Sequence, residues 1–290
     1  MLANLINGIS LGSVYAIIAL GYTMVYGIAK MLNFAHGDVI MVGGYIAFYS
    51  ITLMGWPPAL AVLAAIVVCT ALGIVIERLA YKPLRSATSL AVLITAIGVS
   101  YFLQNAALLL WTSNTKVFPN IFEKLPGLRL GAMQIAPVTI ITVLANIVIM
   151  VTLTLFTTKT KMGKAMRAVS EDKGAATLMG INVNRTISLT FAIGSGLAAI
   201  AGVLLCTAYP TLQPTTGSMP GIKAFTAAVF GGIGSIPGAM LGGILLGVIE
   251  IFGKAYVSTQ LSDAIVFAVL IIVLLVKPTG LLGRKVNEKV

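Results

Sequence analysis

Long apolar segments alternate with short polar segments along the whole chain. Most apolar runs approach the ~20 residues that an α-helix needs to cross a bilayer. The alternation of apolar and polar residues that is typical of a membrane β-barrel is absent. The pattern predicts an all-α, polytopic integral membrane helical bundle with about eight to nine transmembrane segments. The runs cover 5–28, 38–54, 58–76, 88–111, 137–158, 187–208, 222–232, 237–256 and 262–276.

The segment 222–256 is the least regular part of this pattern. Its first apolar run is short, and the sequence "FGGIGSIPG" separates it from the next run. Irregular backbone at membrane depth is tolerated only where protein or water covers it. The segment is therefore expected to form either a full transmembrane hairpin or a re-entrant one.

Composition supports the membrane assignment. The 290 residues are 58% hydrophobic and only 9% charged, whereas about a quarter of the residues of a soluble domain are charged. The apolar runs continue to the C-terminal tail, so we expect one transmembrane domain over 1–290. The two cysteines, Cys69 and Cys206, lie inside apolar runs, which argues against a disulfide framework or a metal site.

The net charge of +11 comes from Lys and Arg residues that lie between the apolar runs. In this position they set orientation at an anionic membrane face, and we expect no nucleic-acid partner. The positive-inside rule predicts an outer N-terminus and a cytoplasmic C-terminus. It also places the loops 29–37, 77–87 and 159–186 inside. Glu77 lies beside Arg78 at a membrane edge, and we expect a solvated pair there.

The longest charged segment is 159–186, which includes "KMGKAMRAVSEDKGAATLMG". Apolar residues recur at helical spacing from Met162 to Val169, and basic residues lie on the opposite side. Ser170 is expected to cap a second short helix, and Gly180 is expected to end it. Two interpretations remain open: an ordinary loop at the lipid headgroups, or a docking element for a cytoplasmic partner.

Three quoted stretches resemble one known family. "GAATLMG" resembles the AA-x-x-x-G core of the coupling loop in permease subunits of ATP-binding cassette importers. "NGISLGSVYAIIALGYTMVYGIAKMLNFAHGDVIMVGGY" and "AFTAAVFGGIGSIPGAMLGGILLGVIE" are similar to the N- and C-terminal signatures of LivH-type branched-chain amino acid permeases. The resemblance extends along nearly the full chain. One departure is Gly174, because the general importer motif has Glu before the paired alanines; Glu171 and Asp172 lie just upstream.

The resemblance implies a transmembrane permease domain whose segment 159–186 is a cytoplasmic coupling loop. Its expected ATPase-coupling residues are Met162, Arg167, Glu171, Asp172, Ala175, Ala176 and Gly180. The implied partners are a second, related permease subunit of the LivM type, two cytoplasmic ATPase subunits and a soluble substrate-binding protein. The implied location is a bacterial or archaeal plasma membrane, and the implied cargo is leucine, isoleucine and valine.

No G-x-x-x-x-G-K-[ST] motif occurs in the chain, so it has no P-loop to bind nucleotide phosphates. We therefore expect a non-catalytic subunit without a cofactor of its own, with ATP and Mg²⁺ on the partner ATPases.

Polar residues within the apolar runs are candidates for a translocation path, because such residues are costly in a membrane. The glycines of "FGGIGSIPG" join them, since a bend leaves backbone groups free to face a cavity. The candidate set is Asn33, His36, Asp38, Gln104, Asn105, Gly231, Gly232 and Gly234. For His36 and Asp38, mutual pairing or helix capping is an equally good explanation.

Three rival functions remain open at this stage. The first is the same machine with another cargo, such as urea, short amides or other amino acids. The second is a passive channel or ion-coupled carrier, which would favour charged residues deep in mid-helix. The third is a non-transport membrane subunit, which a single histidine and an almost charge-free core argue against.

Overall fold

The computed structural model describes residues 1–85, 87–122, 125–130 and 133–283. The expected basic tail residues Arg284, Lys285 and Lys289, and the loop residues Glu123 and Lys124, lie outside the described residues. The eleven α-helices found there are α1 Leu2–Ala29, α2 His36–Thr52, α3 Pro58–Ile76, α4 Ser89–Trp111, α5 Pro137–Lys159, α6 Lys161–Glu171, α7 Lys173–Leu178, α8 Val183–Ala208, α9 Ser218–Gly231, α10 Ile236–Tyr256 and α11 Ser262–Val276.

Short irregular elements complete the description. A π-helical turn, Glu77–Tyr81, and a 3₁₀ turn, Lys82–Leu84, continue α3. The antiparallel strand pairs are β1 Lys116–Val117 with β4 Thr211–Leu212, and β2 Leu128–Leu130 with β3 Met133–Ile135. In the first pair Lys116 lies opposite Leu212.

The prediction of an all-α polytopic membrane bundle is confirmed. In the described part of the chain, six helical segments are long and apolar enough to cross a membrane. The helices α2, α9 and α11 are shorter, with 17, 14 and 15 residues. The predicted number of eight to nine transmembrane segments is therefore approximate.

Helices α1 and α8 form the centre of the bundle, and each has more than four-fifths of its apolar window buried. α1 packs most extensively against α10, and small residues let the two backbones touch. A Cβ atom on Gly12 would lie 2.6 Å from the carbonyl oxygen of Ile244, and one on Gly8 would lie 2.8 Å from Cα of Val248. This is the close packing that small residues permit between membrane helices.

The loops predicted to share one side of the membrane meet at one end of the bundle. Arg85 bonds to Asn184, Lys173 bonds to the carbonyl of Ala29, and Gly27 approaches Gly234. We call this end, with its excess of Lys and Arg, the basic end. The strand pair β1–β4 lies at the opposite end.

Helix α2 begins inside the bundle. The imidazole of His36, its first residue, packs against Gly21 and Tyr22 of α1. Gly21 lies eight residues before Ala29, where α1 ends, which corresponds to roughly 12 Å along the helix axis. The chain after α1 therefore folds back into the bundle before α2 starts.

The α9–α10 hairpin has one short arm. The 14 residues of α9 span about 21 Å, less than the ~30 Å of a hydrocarbon core. Gly232 and Gly234 adopt positive φ angles in the turn, and the backbone N–H groups of Leu281 and Leu282 donate to the carbonyls of Phe230 and Gly231. The C-terminal segment thus satisfies backbone groups at the end of α9.

We predict that Gly12→Ala destabilises the protein by about 1–3 kcal/mol, because the new methyl group overlaps the backbone of α10. The matched control is Gly98→Ala in α4, whose Cβ would have no atom within 4 Å. The control should be neutral or stabilising, since Ala favours a helix by roughly 1 kcal/mol over Gly. Thermal unfolding in detergent measures both changes, and equal unfolding temperatures would contradict the packing described here.

Candidate coupling element and polar sites

Helices α6 and α7 form a compact amphipathic element, which we call the coupling element. Met166 and Val169 of α6 and Ala176 of α7 are buried, whereas Lys161 and Lys164 are exposed. The predicted apolar and basic faces of 162–169 are confirmed. Thr160 caps α6, since its hydroxyl oxygen accepts a hydrogen bond of 3.0 Å from the N–H of Gly163.

For the second short helix, the predicted start is wrong and the predicted end is confirmed. Ser170 does not cap α7, because it still belongs to α6. The cap is Asp172, whose carboxylate accepts from the N–H of Ala175 at 2.9 Å, and a carboxylate also interacts favourably with a helix N-terminus. Gly180 does end the helix: it has a φ of 79°, and its N–H donates to the carbonyl of Thr177. This bonding with a left-handed glycine is typical of a Schellman motif.

The tip of the coupling element exposes large apolar side chains. Leu178 is 91% exposed and Met179 is 82% exposed. Ala175 is also exposed, whereas Ala176 is 3% exposed. Of the paired alanines expected to contact an ATPase, only Ala175 is available at the surface, and Ala176 packs inward. Sequence reasoning did not single out Leu178 and Met179.

The other expected coupling residues lie around the same element. Arg167 and Glu171 are exposed on α6, and Met162 is half-buried. All three therefore lie on α6, beside the exposed tip and not in it.

Lys173 connects the coupling element to the central helix α1. Its ammonium donates to the carbonyl oxygen of Ala29 at 3.2 Å, and a cation there complements the C-terminal end of α1. Partial burial, together with the nearby charges of Arg85 and Lys30, lowers the pKa of Lys173 below its ordinary value. This hydrogen bond links the start of α7 to the C-terminal end of α1.

The expectation of a solvated Glu77–Arg78 pair is wrong. Glu77 is fully buried and forms its ion pair with Arg85. It also accepts a hydrogen bond of 2.6 Å from the hydroxyl of Ser188 in α8, while Arg85 bonds to Asn184 near the start of that helix. The π-helical turn after α3 carries Glu77 into the protein, where it ties the end of α3 to α8.

A polar cluster lies where α2 begins inside the bundle. Gln104 of α4 donates from Nε2 to Asp38 Oδ1 at 2.9 Å and approaches the hydroxyl of Ser218, the first residue of α9, at 3.3 Å. His36 and Asp38 are each 1% exposed. The structure thus brings together two of the predicted path residues, Asp38 and Gln104, and adds Ser218. The imidazole of His36 lies on the side of α2 that faces α1.

The alternative explanations for His36 and Asp38 are not realised. Asp38 pairs with Gln104, and no side-chain hydrogen bond caps α2. His36 Nε2 and Asp38 Oδ2 are buried and have no hydrogen-bond partner within the described residues. Unsatisfied buried polar atoms are rare and are a sign of a functional role or of bound water.

The remaining predicted path residues lie elsewhere. Asn33 is buried and accepts a hydrogen bond of 3.0 Å from the hydroxyl of Tyr81. Asn105 is exposed and donates to the carbonyl of Tyr101 in its own helix. The three glycines of the α9–α10 turn, Gly231, Gly232 and Gly234, lie at the basic end against the C-terminal segment or α1. The structure does not join them to the Asp38–Gln104–Ser218 cluster.

A buried ion network near the opposite end was not predicted. Lys223 of α9 contacts Glu250 of α10 at 2.8 Å and Asp263 of α11 at 2.6 Å. Glu250 also accepts hydrogen bonds from Lys254 at 2.6 Å and from the hydroxyl of Tyr15 at 2.9 Å. The sequence signal that could have revealed this site is Lys223, a lone lysine within an apolar run.

A cavity of about 470 Å³ adjoins this network. Lys223, Glu250, Lys254 and Tyr15 line it, and so does Ser218 of the polar cluster. Ser218 therefore connects the cavity to Gln104 and Asp38. Among the described residues, no group of three or more His, Cys, Asp and Glu side chains is arranged to hold a metal ion.

The fold is similar to that of a solved structure. The chain superposes on "PsaBC from Streptococcus pneumoniae in complex with Fab" with a TM-score of 0.51 and 17% identity, over 96% of this chain and 97% of that chain. At this identity the likeness concerns the fold alone.

Sequence comparison then identifies the family. The model for "Branched-chain amino acid transport system / permease component" matches residues 4–274. The chain is 49% identical to the high-affinity branched-chain amino acid transport system permease protein BraD of Pseudomonas aeruginosa, over 100% of this chain and 98% of BraD. It is 48% identical to LivH of Escherichia coli K12, over 100% of this chain and 97% of LivH. The chain belongs to the branched-chain amino acid transport permease family, and the resemblance to LivH-type permeases is confirmed.

We predict that Glu250→Gln destabilises the protein by about 1–3 kcal/mol, because it weakens the bonds that hold Lys223 in a buried position. The matched control is Lys254→Gln, whose side chain is 36% exposed and whose loss should cost less than about 1 kcal/mol. Unfolding by heat in detergent compares the two variants. If the control lowers stability as much as Glu250→Gln, burial does not make the Lys223–Glu250 pair more important for stability than the exposed Lys254–Glu250 pair.

Proposed function

We propose that this chain is the membrane-spanning subunit of an ATP-driven importer for leucine, isoleucine and valine. The single observation that carries the proposal is the identity of 48–49% over the full chain with two high-affinity branched-chain amino acid permeases. The chain itself is a non-catalytic subunit. ATP and Mg²⁺ bind on the partner ATPases.

The proposed assembly has a second, related permease subunit, two cytoplasmic ATPase subunits and a soluble binding protein that delivers the amino acid from outside. The apolar, exposed faces of the peripheral helices support this proposal. In the apolar windows of α4 and α5 only 17% of the residues are buried within the chain, so these helices face either lipid or another membrane subunit.

The basic end is proposed to be cytoplasmic, with the N-terminus outside. The positive-inside rule supports this orientation. Lys30, Arg85, Lys173 and the basic face of α6 all lie at this end. The cavity beside Lys223 and Glu250 then lies towards the outside, where a binding protein would release its cargo.

The coupling element is the proposed contact for the ATPases. Its exposed Leu178 and Met179 provide an apolar contact surface, with Ala175, Arg167 and Glu171 close by in the same two helices. Closure of an ATPase dimer would displace α6 and α7 together. Lys173 would pass this movement to α1, and the short connection to α8 would pass it to the second central helix. Rocking of packed helices in this way is a general mode of alternating access.

The proposed path for the cargo uses the polar groups inside the bundle. A branched-chain amino acid is a zwitterion with an apolar side chain, and the cavity near Lys223 and Glu250 offers both charges beside apolar walls. From there Ser218 leads to Gln104 and Asp38. The unpartnered Oδ2 atom of Asp38 makes this the point at which a passing polar group or water is best accommodated.

Uptake in a strain that lacks its own branched-chain importers tests the proposed cargo. Cells expressing this chain with its partner subunits should take up labelled leucine in an energy-dependent manner. Unlabelled isoleucine and valine should compete with this uptake, whereas urea and acetamide should not. Competition by urea or short amides alone would indicate the same machine with a different cargo.

We predict that the double variant Leu178→Asp, Met179→Asp reduces leucine uptake and ATPase co-purification at least about tenfold. A carboxylate buried in an apolar contact costs several kcal/mol, and each 1.4 kcal/mol corresponds to a factor of ten. The protein should remain in the membrane at its normal level, because both side chains are exposed in the chain alone.

The control for this variant is Val117→Asp. Val117 is 77% exposed and lies at the opposite end of the bundle, so ATPase co-purification should be unchanged. Normal ATPase binding and normal uptake by the Leu178, Met179 variant would show that the tip of the coupling element is not the docking surface.

A further inference from the structure

A second cavity, of about 190 Å³, lies at the basic end between α1, α4 and α7. Three cationic side chains from different parts of the chain line it: Lys30 follows α1, Arg85 precedes α4, and Lys173 begins α7. None of these three residues belongs to the cargo path described above.

Two of these three cations have no carboxylate partner in the part of the chain that the structure describes. Within the described residues, the ion pairs found involve neither Lys30 nor Lys173, so no Asp or Glu oxygen lies within 4.0 Å of their ammonium groups. Lys173 donates to the carbonyl of Ala29, which leaves two of its three N–H donors available. Arg85 alone is neutralised, by the buried Glu77. The cavity therefore has a net positive charge.

The start of α4 adds to this positive character. Ser89, the first residue of this 23-residue helix, is one of the residues that line the cavity. The N-terminus of a helix carries a partial positive charge and favours anions, phosphate groups in particular.

The other walls of the cavity are apolar, so they can contact the acyl-chain carbons nearest to a lipid headgroup. Met31, Leu84 and Leu93 contribute apolar side chains. Beside them, Leu90 and Ile94 in the first turns of α4 are 64% and 61% exposed, as expected of residues that face acyl chains. A charged cavity thus adjoins an apolar surface at the membrane boundary.

We propose that this cavity binds a phosphate group, supplied either by the headgroup of an anionic phospholipid or by a soluble phosphate ester. Lys30 and Lys173 donate to the phosphate oxygens together with Ser89, and Arg85 adds a fixed positive charge. Basic pockets between helices on the cytoplasmic side are suited to anionic headgroups. Lys173 also bonds to the end of α1. An anion in this cavity therefore stabilises the contact between the coupling element and the rest of the bundle.

Native mass spectrometry of the purified protein, with the subunits that co-purify, tests this site. The protein is first placed in nanodiscs with equal parts of phosphatidylglycerol and phosphatidylcholine, and the retained lipid is then counted. Wild type should retain phosphatidylglycerol in preference to phosphatidylcholine. The variant Lys30→Gln, Lys173→Gln should retain about 25-fold less, since each basic residue near an anionic headgroup contributes a factor of roughly five.

Two control variants distinguish lipid binding at this site from a general effect of surface lysines and from an effect of misfolding. Lys161→Gln, Lys164→Gln removes two exposed lysines of α6 that do not line the cavity, and it should retain phosphatidylglycerol like wild type. Lys30→Arg, Lys173→Arg keeps both charges and should also retain the lipid. All variants are compared at the same elution volume as wild type, which shows that they are folded.

A second arm of the experiment identifies the source of the phosphate. Labelled inorganic phosphate is added to protein in nanodiscs of phosphatidylcholine alone. Binding that depends on Lys30 and Lys173, without retention of phosphatidylglycerol, assigns the site to a soluble ester. The proposal is overturned if the folded Lys30→Gln, Lys173→Gln variant matches wild type in phosphatidylglycerol retention, or if wild type binds neither ligand. Neither readout depends on the cargo or on the ATPases.

Discussion

The close contact between the backbones of α1 and α10 is the constraint on which the rest of this structure depends. Ala16 and the glycines Gly8 and Gly12 of α1 face Gly243 and Gly247 of α10. Because these helices touch at their backbones, α1 is held at the centre of the bundle, with α8 against its other side. The end of α1 then accepts the hydrogen bond from Lys173 of α7, and Gly21 of α1 packs against the imidazole of His36.

The two short helices α2 and α9 follow from the same arrangement. Both have their first residues near the polar cluster, where Asp38, Gln104 and Ser218 meet. Irregular backbone before such a start is possible only where protein or water satisfies its polar groups. The buried loop before α2 and the cavity beside α9 provide that environment. Helices that begin within a membrane protein often border a substrate path, which agrees with the function proposed above.

Sequence reasoning predicted the helical class, most helix bounds and the family, because these depend on long apolar runs and on extended motifs. It also predicted the two faces of α6 and the role of Gly180. It missed the burial of Glu77, because the partners of that carboxylate are Arg85 and Ser188, which lie farther along the chain, and not its neighbour Arg78. It missed the Lys223–Glu250–Asp263 network as well, since residues far apart in the chain meet there only in the folded bundle. For a similar reason, the residues predicted to line one path lie in two separate places. Asp38 and Gln104 meet across two helices, while Gly231, Gly232 and Gly234 pack at the basic end.

The most direct test of the central claim is a cross-link from the tip of the coupling element. In a variant with both buried cysteines replaced by alanine, Leu178→Cys would carry a photoactivatable cross-linker in sealed membrane vesicles of known orientation. We expect Cys at this position to be labelled only from the cytoplasmic face and to cross-link to an ATPase subunit that contains a P-loop. Labelling from the outer face, or cross-links to lipid alone in vesicles that retain the ATPases, would contradict the proposed orientation and coupling.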